Sequence, residues 1–236
     1  MMNIKRYKEE YYSILRLDSL FSTNLFFVDV FNSKLKNIPY GITQITFGYD
    51  FNCEVDNLPQ SLKNLTFGHS FNQLVDNLPQ NLTNLTFGYK FNQIVDNLPQ
   101  SLLNLTFDYD FNCTVDNLPL NLQNLTFGHN FNCTVDNLPQ TLLNITFNKK
   151  FNQSLDNLPN NIIIIDFIDK IFQPCNFNKE LNCLPNSICK IKLPENYNQE
   201  IKQIPSNLKK IICSSSYKFI NKFNNIDVEF ILNVKY

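Results

Sequence analysis

The side chains with chemical potential fall into columns, and the columns decide what they can do. His69 and His129 are the two imidazoles of the chain. They stand 60 positions apart in a sequence that repeats every 20 residues. Acid–base catalysis or joint metal ligation would need both rings at one site. At one strand spacing per turn, three turns put them roughly 14 Å apart. Their column reads Tyr49, His69, Tyr89, Tyr109, His129 and Lys149. Exposed aromatic and imidazole side chains beside a strand edge suit contact with a partner, so Tyr49, His69, Tyr89, Tyr109 and His129 are the candidate partner-binding residues.

A second column holds Asp56, Asp76, Asp96, Asp116, Asp136 and Asp156. Stacked in register, these carboxylates would lie about 5 Å apart. Carboxylates are hard oxygen ligands, which makes a row of divalent-cation sites conceivable. However, no second acidic column completes a coordination shell, so the expected role is acceptance of turn amides, as in Asx-turns, and no metal site is assigned. Asn72, Asn92, Asn112, Asn132 and Asn152 form a further column, expected to bond amide to amide along the stack. Cys53, Cys113 and Cys133 alternate with Gln73, Gln93 and Gln153. Cys113 and Cys133 fall within disulfide reach on adjacent turns, but seven cysteines without a CxxC pair fit neither a disulfide scaffold nor a zinc site. No Ser-His-Asp set, glycine-rich phosphate loop or paired-carboxylate cleft is present. The chain therefore reads as a non-enzyme without a cofactor.

The elements that position these columns follow from the apolar spacing. Within one unit Leu62, Leu65, Phe67, Phe71, Val75, Leu78 and Leu82 are separated by 3, 2, 4, 4, 3 and 4 residues. A helix keeps spacings of 3 and 4 and a strand keeps 2, so each unit holds one short strand, Leu65-Thr66-Phe67, with Thr66 facing outward. Leu58-Pro59 and its copies lie on an irregular, extended return side, because proline removes a ladder donor. Gly48, Gly68, Gly88, Asp108, Gly128 and Asn148 follow the strands. These residue types predict a corner with positive φ. The outward Thr46–Thr146 column resembles the threonine ladder of ice-binding solenoids, but Lys63, Tyr89, Lys90 and Leu103 interrupt it.

A unit of 20 residues cannot bury its own apolar face, so the turns must stack. The phase opens at Asn24-Leu25-Phe26-Phe27 and predicts about eleven turns, each adding one parallel strand. Residues 1–23 are read as an N-terminal cap of short helix or irregular chain. About six residues are inserted near 169–174, and a last strand is expected at Ile231-Leu232-Asn233 within a C-terminal cap of about 214–236. Residues 24–236 thus form one solenoid domain. Net charge is −1, with 4 Lys against 11 acids over residues 47–167 and 10 Lys against 6 acids over residues 168–236. The acidic middle argues against nucleic acid. The N-terminal stretch has no long apolar run, which predicts an intracellular, cytoplasmic address rather than a membrane or secretory one.

The unit LPQSLKNLTFGHSFNQLVDN, recurring over residues 24–213, resembles the FNIP repeat family of social amoebae and giant viruses, and more distantly resembles leucine-rich repeats. That resemblance implies a leucine-rich-repeat-like solenoid that binds other proteins without catalysis. Leucine-rich repeats place an asparagine where this chain has Ser70 or Lys90, and here the asparagine comes two residues later, as Phe71-Asn72.

Overall fold

The computed structural model describes residues 15–16, 23–35, 38, 40–168 and 175–231. Strands β1 (Leu15–Arg16), β2 (Asn24–Phe27), β3 (Gln44–Thr46), β4 (Asn64–Thr66), β5 (Asn84–Thr86) and β6 (Asn104–Thr106) are followed by β7 (Asn124–Thr126), β8 (Asn144–Phe147), β9 (Ile164–Phe167), β10 (Lys190–Lys192), β11 (Lys210–Cys213) and β12 (Asp227–Phe230). They form one sheet in sequence order. β1 pairs antiparallel with β2, and β2 to β12 run parallel, so eleven strands enclose about ten turns. The register is 20 residues from Asn24↔Gln44 to Asn124↔Asn144. It becomes 26 at Ile164↔Lys190, returns to 20 at Lys190↔Lys210 and falls to 17 at Lys210↔Asp227. The last strand therefore lies earlier than Ile231–Asn233, because the final turn is short. The inserted residues 169–174, and all of the expected N-terminal cap but β1 and Thr23, lie outside the described residues.

Each three-residue strand begins one position before the expected Leu65-Thr66-Phe67, at Asn64, while the inward and outward alternation is as read from the sequence. Leu62, Leu65, Phe67, Phe71, Val75, Leu78 and Leu82 are all buried, as are their copies in neighbouring turns. The return side is folded by a turn in which the Leu62 amide donates to the Pro59 carbonyl at 3.0 Å, repeated at Leu82 and Pro79 at 3.1 Å. Small polar residues then tie turn to turn: Ser101 Oγ donates to Leu82 O at 2.6 Å and Ser187 Oγ to Ile162 O at 2.6 Å.

Two columns of phenylalanine fill the core. Inside a turn, Phe67 and Phe71 stack with centroids 3.7 Å apart, and Phe87 and Phe91 at 3.6 Å. From turn to turn, Phe67 and Phe87 lie 5.6 Å apart, whereas Phe71 and Phe91 lie 6.1 Å apart. Strands of a sheet lie about 4.8 Å apart, so the turns spread with distance from the sheet. The Phe71 and Phe91 ring planes differ by 6°, in agreement with a fan. The solenoid bends with its sheet on the inner side.

The glycines after the strands do not need positive φ. Among the described glycines only Gly41 has it, at φ 97. What Gly68 and Gly88 provide is closeness: a Cβ on Gly68 would lie 2.0 Å from Gly48 O, and one on Gly88 would lie 2.0 Å from Gly68 O. Asp108 O would meet a Cβ on Gly128 at 1.6 Å. The corner is a site of backbone-on-backbone contact.

Candidate interaction surface

The turn that leaves each strand carries the Tyr/His column at the lip of the inner face. Here the spacing between turns is fixed by direct backbone bonds: Ser70 N donates to Tyr49 O, Lys90 N to His69 O and Asp110 N to Tyr89 O, each at 2.9 Å. At that pitch the rings touch. Tyr49 and His69 stack at 4.2 Å, His69 and Tyr89 at 4.7 Å, Tyr89 and Tyr109 at 4.4 Å, and Tyr109 and His129 at 4.2 Å. The five rings form one continuous ladder along the flank of the sheet.

Their exposure is uneven, which corrects part of the sequence reading. Tyr49 is 51% exposed, His69, Tyr89 and Tyr109 are half-buried, and His129 at 7% is buried. His129 thus ends the ladder from inside the fold instead of standing as an open anchor. His69 Nδ1 is buried between its neighbours without a hydrogen-bond partner. Burial, helped by the nearby Tyr109 and Asp110, pushes the Tyr89 phenol above its ordinary pKa, so it stays a neutral hydrogen-bond donor. Because the ring faces are spent on one another, the ladder offers edges and hydroxyls to a partner.

Beside it, the inner face of the sheet is neutral over β4 to β8. Asn84 Nδ2 donates to Asn64 Oδ1, and the same bond links Asn104 to Asn84, Asn124 to Asn104 and Asn144 to Asn124, all at 2.5–2.6 Å. Thr66 and its copies stand next to this amide ladder. At the other end the face becomes charged, with Lys192 against Asp166 at 3.6 Å and Lys210 between Asp227 and Glu229.

The amide ladder expected at Asn72 is built differently. The Asn72 amide N–H donates to Asn52 Oδ1 at 2.8 Å, Asn92 N to Asn72 Oδ1 at 2.9 Å, and Asn112 N to Asn92 Oδ1 at 2.9 Å. The bond continues to Asn198 N on Asn178 Oδ1. At this column the link from one turn to the next is made by the side-chain oxygen in place of a backbone carbonyl. The signal for this was the spread of the turns, which no single sequence position carries. Asn72, Asn92 and Asn112, with Lys90, Asp110 and Asn130, line an open polar groove of about 900 Å³.

The aspartate column also differs from the Asx-turn expectation. Asp56 Oδ1 accepts from Asn77 Nδ2, Asp76 from Asn97, Asp116 from Asn137 and Asp136 from Asn157, each at 3.1 Å. These four carboxylates are each tied to the next turn, which offsets part of the like-charge repulsion in the column, while Asp156 Oδ2 accepts from Ser154 Oγ in its own turn. Among the described residues no group of three or more His, Cys, Asp or Glu side chains could hold a metal ion. The seven cysteines are free thiols. No described helix is long and apolar enough to cross a membrane.

Comparison with known proteins agrees with this architecture. The chain is similar in structure to CroV588, a giant-virus protein described as a circular leucine-rich-repeat protein, with a TM-score of 0.73 and 35% sequence identity. The match covers 88% of this chain and 33% of that one, so the chain spans about a third of its relative's length. No curated protein matches. Residues 31–70, 53–90, 71–110, 109–150 and 177–216 each match the FNIP repeat, which is more than half of the chain. With its 20-residue turns, parallel sheet and repeated Phe-Asn and Leu-Pro columns, the chain belongs to the FNIP repeat family.

Proposed function

We propose that this leucine-rich-repeat-like solenoid is a non-catalytic scaffold that binds a protein across its inner sheet face and the adjoining ring ladder. The observation that carries the reading is the ladder itself. Four accessible rings, Tyr49, His69, Tyr89 and Tyr109, are held at a fixed pitch on the surface, although the core is already filled by phenylalanine. Rigid tyrosines lose little entropy on contact and dominate many interfaces. Lys63, Thr83, Leu103, Gln123 and Leu143, which differ from turn to turn beside the uniform Asn/Thr face, would set which partner is accepted.

The test is affinity capture from host cells with the intact chain and with a Tyr49→Ala, Tyr89→Ala, Tyr109→Ala variant, followed by mass spectrometry. A partner recovered by the intact chain should be lost from the variant. The variant breaks the Tyr49–His69, His69–Tyr89, Tyr89–Tyr109 and Tyr109–His129 contacts, each worth about 0.5–1.5 kcal/mol, so its melting midpoint falls, and capture is compared below the onset of its melt. Equal capture by both would overturn the assignment of the ladder, and no partner above background would favour a repeat protein without a specific ligand.

A further inference from the structure

The cysteine column contains one pair on neighbouring turns, and the hydrogen bonds around it fix their relation. Cys113 Sγ donates to Asn92 Oδ1 at 3.3 Å, and Cys133 Sγ lies 3.4 Å from Asn112 O and 3.5 Å from Asn112 Oδ1. Each sulfur therefore points to the asparagine of the turn below. The two turns are held in register by the Asn132 amide N–H donating to Asn112 Oδ1 at 2.8 Å. Asn112 O belongs to the peptide that joins Asn112 to Cys113, so Cys133 Sγ lies against the Cys113 backbone, and rotation of the Cys113 side chain from Asn92 toward the next turn brings the two sulfurs together. Both residues are only half-buried, so small oxidants can reach them.

We propose that Cys113 and Cys133 are an inter-turn disulfide site, closed when the chain meets a disulfide oxidant such as oxidised glutathione. One thiolate attacks the oxidant, forming a Cys–glutathione bond and releasing one glutathione. The second cysteine gives its proton to solvent and attacks the first sulfur, forming Cys113–Cys133 and releasing the second glutathione. Two protein thiols are oxidised and one glutathione disulfide is reduced to two thiols. Burial, and for Cys113 the neighbouring Cys133, pushes both thiols above their ordinary pKa, which lowers the thiolate fraction and slows their attack on the oxidant.

The fold supplies its own control. Cys53 occupies the same column and makes the same contact, with Sγ 3.3 Å from Asn32 Oδ1, but Gln73 follows it on the next turn. It can take up glutathione but has no resolving thiol. The two outcomes separate cleanly because trypsin cuts at Lys90 and Lys149, leaving Cys113 and Cys133 as the cysteines of one peptide and Cys53 on another.

The test treats the folded full chain with oxidised glutathione, blocks free thiols, digests it and weighs the peptides. The peptide from 91 to 149 should be lighter by two hydrogens, with no alkylation and no adduct, while Cys53 carries glutathione. In Cys113→Ser, Cys133 should now retain glutathione as Cys53 does. The oxidised wild type should melt several degrees higher, and dithiothreitol should reverse the rise. Stable adducts on both Cys113 and Cys133, free thiols there beside a modified Cys53, a disulfide between two copies, or a lowered melting midpoint would each overturn the proposal.

Discussion

Asparagine serves two different purposes in this solenoid, and one substitution type separates them. Asn112 acts as an acceptor: its Oδ1 receives the Asn132 amide N–H at 2.8 Å, and its own side-chain amide is not part of that bond. Asn104 acts as both: its Nδ2 donates to Asn84 Oδ1 at 2.5 Å while its Oδ1 accepts from Asn124 Nδ2 at 2.6 Å. Aspartate keeps the acceptor and removes the donor. Asn112→Asp should therefore change stability by no more than about 0.5 kcal/mol, as for an ordinary exposed substitution. Asn104→Asp leaves the half-buried Asn84 Oδ1 without its donor and facing a carboxylate, a loss of about 1–3 kcal/mol. Asn112→Ala, which removes the acceptor, should cost about 1 kcal/mol and reduce protection of the Asn132 amide. Urea unfolding followed by circular dichroism gives the stabilities, and native-state hydrogen exchange reads the single amide without assuming that all turns unfold together. Equal destabilisation by Asn112→Asp and Asn104→Asp, or unchanged Asn132 protection in Asn112→Ala, would refute this division of roles.

Two further outcomes can be read from the same measurements. Phe91 is fully buried and touches Phe71, Phe87 and Phe111, so Phe91→Ala should cost about 3–5 kcal/mol in urea unfolding, more than the single change Tyr49→Ala, which breaks one ring pair at the exposed end of the ladder. Glu229 is held below the usual carboxylate range by the hydrogen bond from Lys210 and then by its charge. The stability it contributes is present above the ordinary glutamate pKa of about 4.3 and is lost as pH falls through the lower folded value. Exchange of the β12 amides should accelerate on acidification, and Glu229→Gln should flatten that dependence.

The period, the inward residues and the parallel stacking were legible because each rests on identity between turns: Leu65, Phe67 and Phe71 mean the same thing in every copy. The insertion was legible as a break in phase between Phe151-Asn152 and Phe177-Asn178. What failed were inferences about how one turn meets the next. Gly68 was read for its own backbone freedom, whereas its requirement comes from Gly48 O, 20 residues away. Asp76 was read as a local acceptor, whereas its partner is Asn97. His129 shares a column with Tyr49, yet one is buried and the other open, since the same position meets different neighbours along the stack. The last strand was misplaced because a turn of 17 residues keeps register through pairing, without keeping count.

The asparagine bridge has a mechanical consequence. On the inner side the separation between turns is set by backbone pairing and cannot be adjusted by side chains. On the outer flank it is set by the reach of one carboxamide from its own Cα to the next amide. The angle of each wedge is thus governed by side-chain length at a single column, and a glutamine there would open every wedge by one methylene. Arc radius in such a molecule is a quantity that substitution can tune, turn by turn, without touching the core or the face presented to a partner.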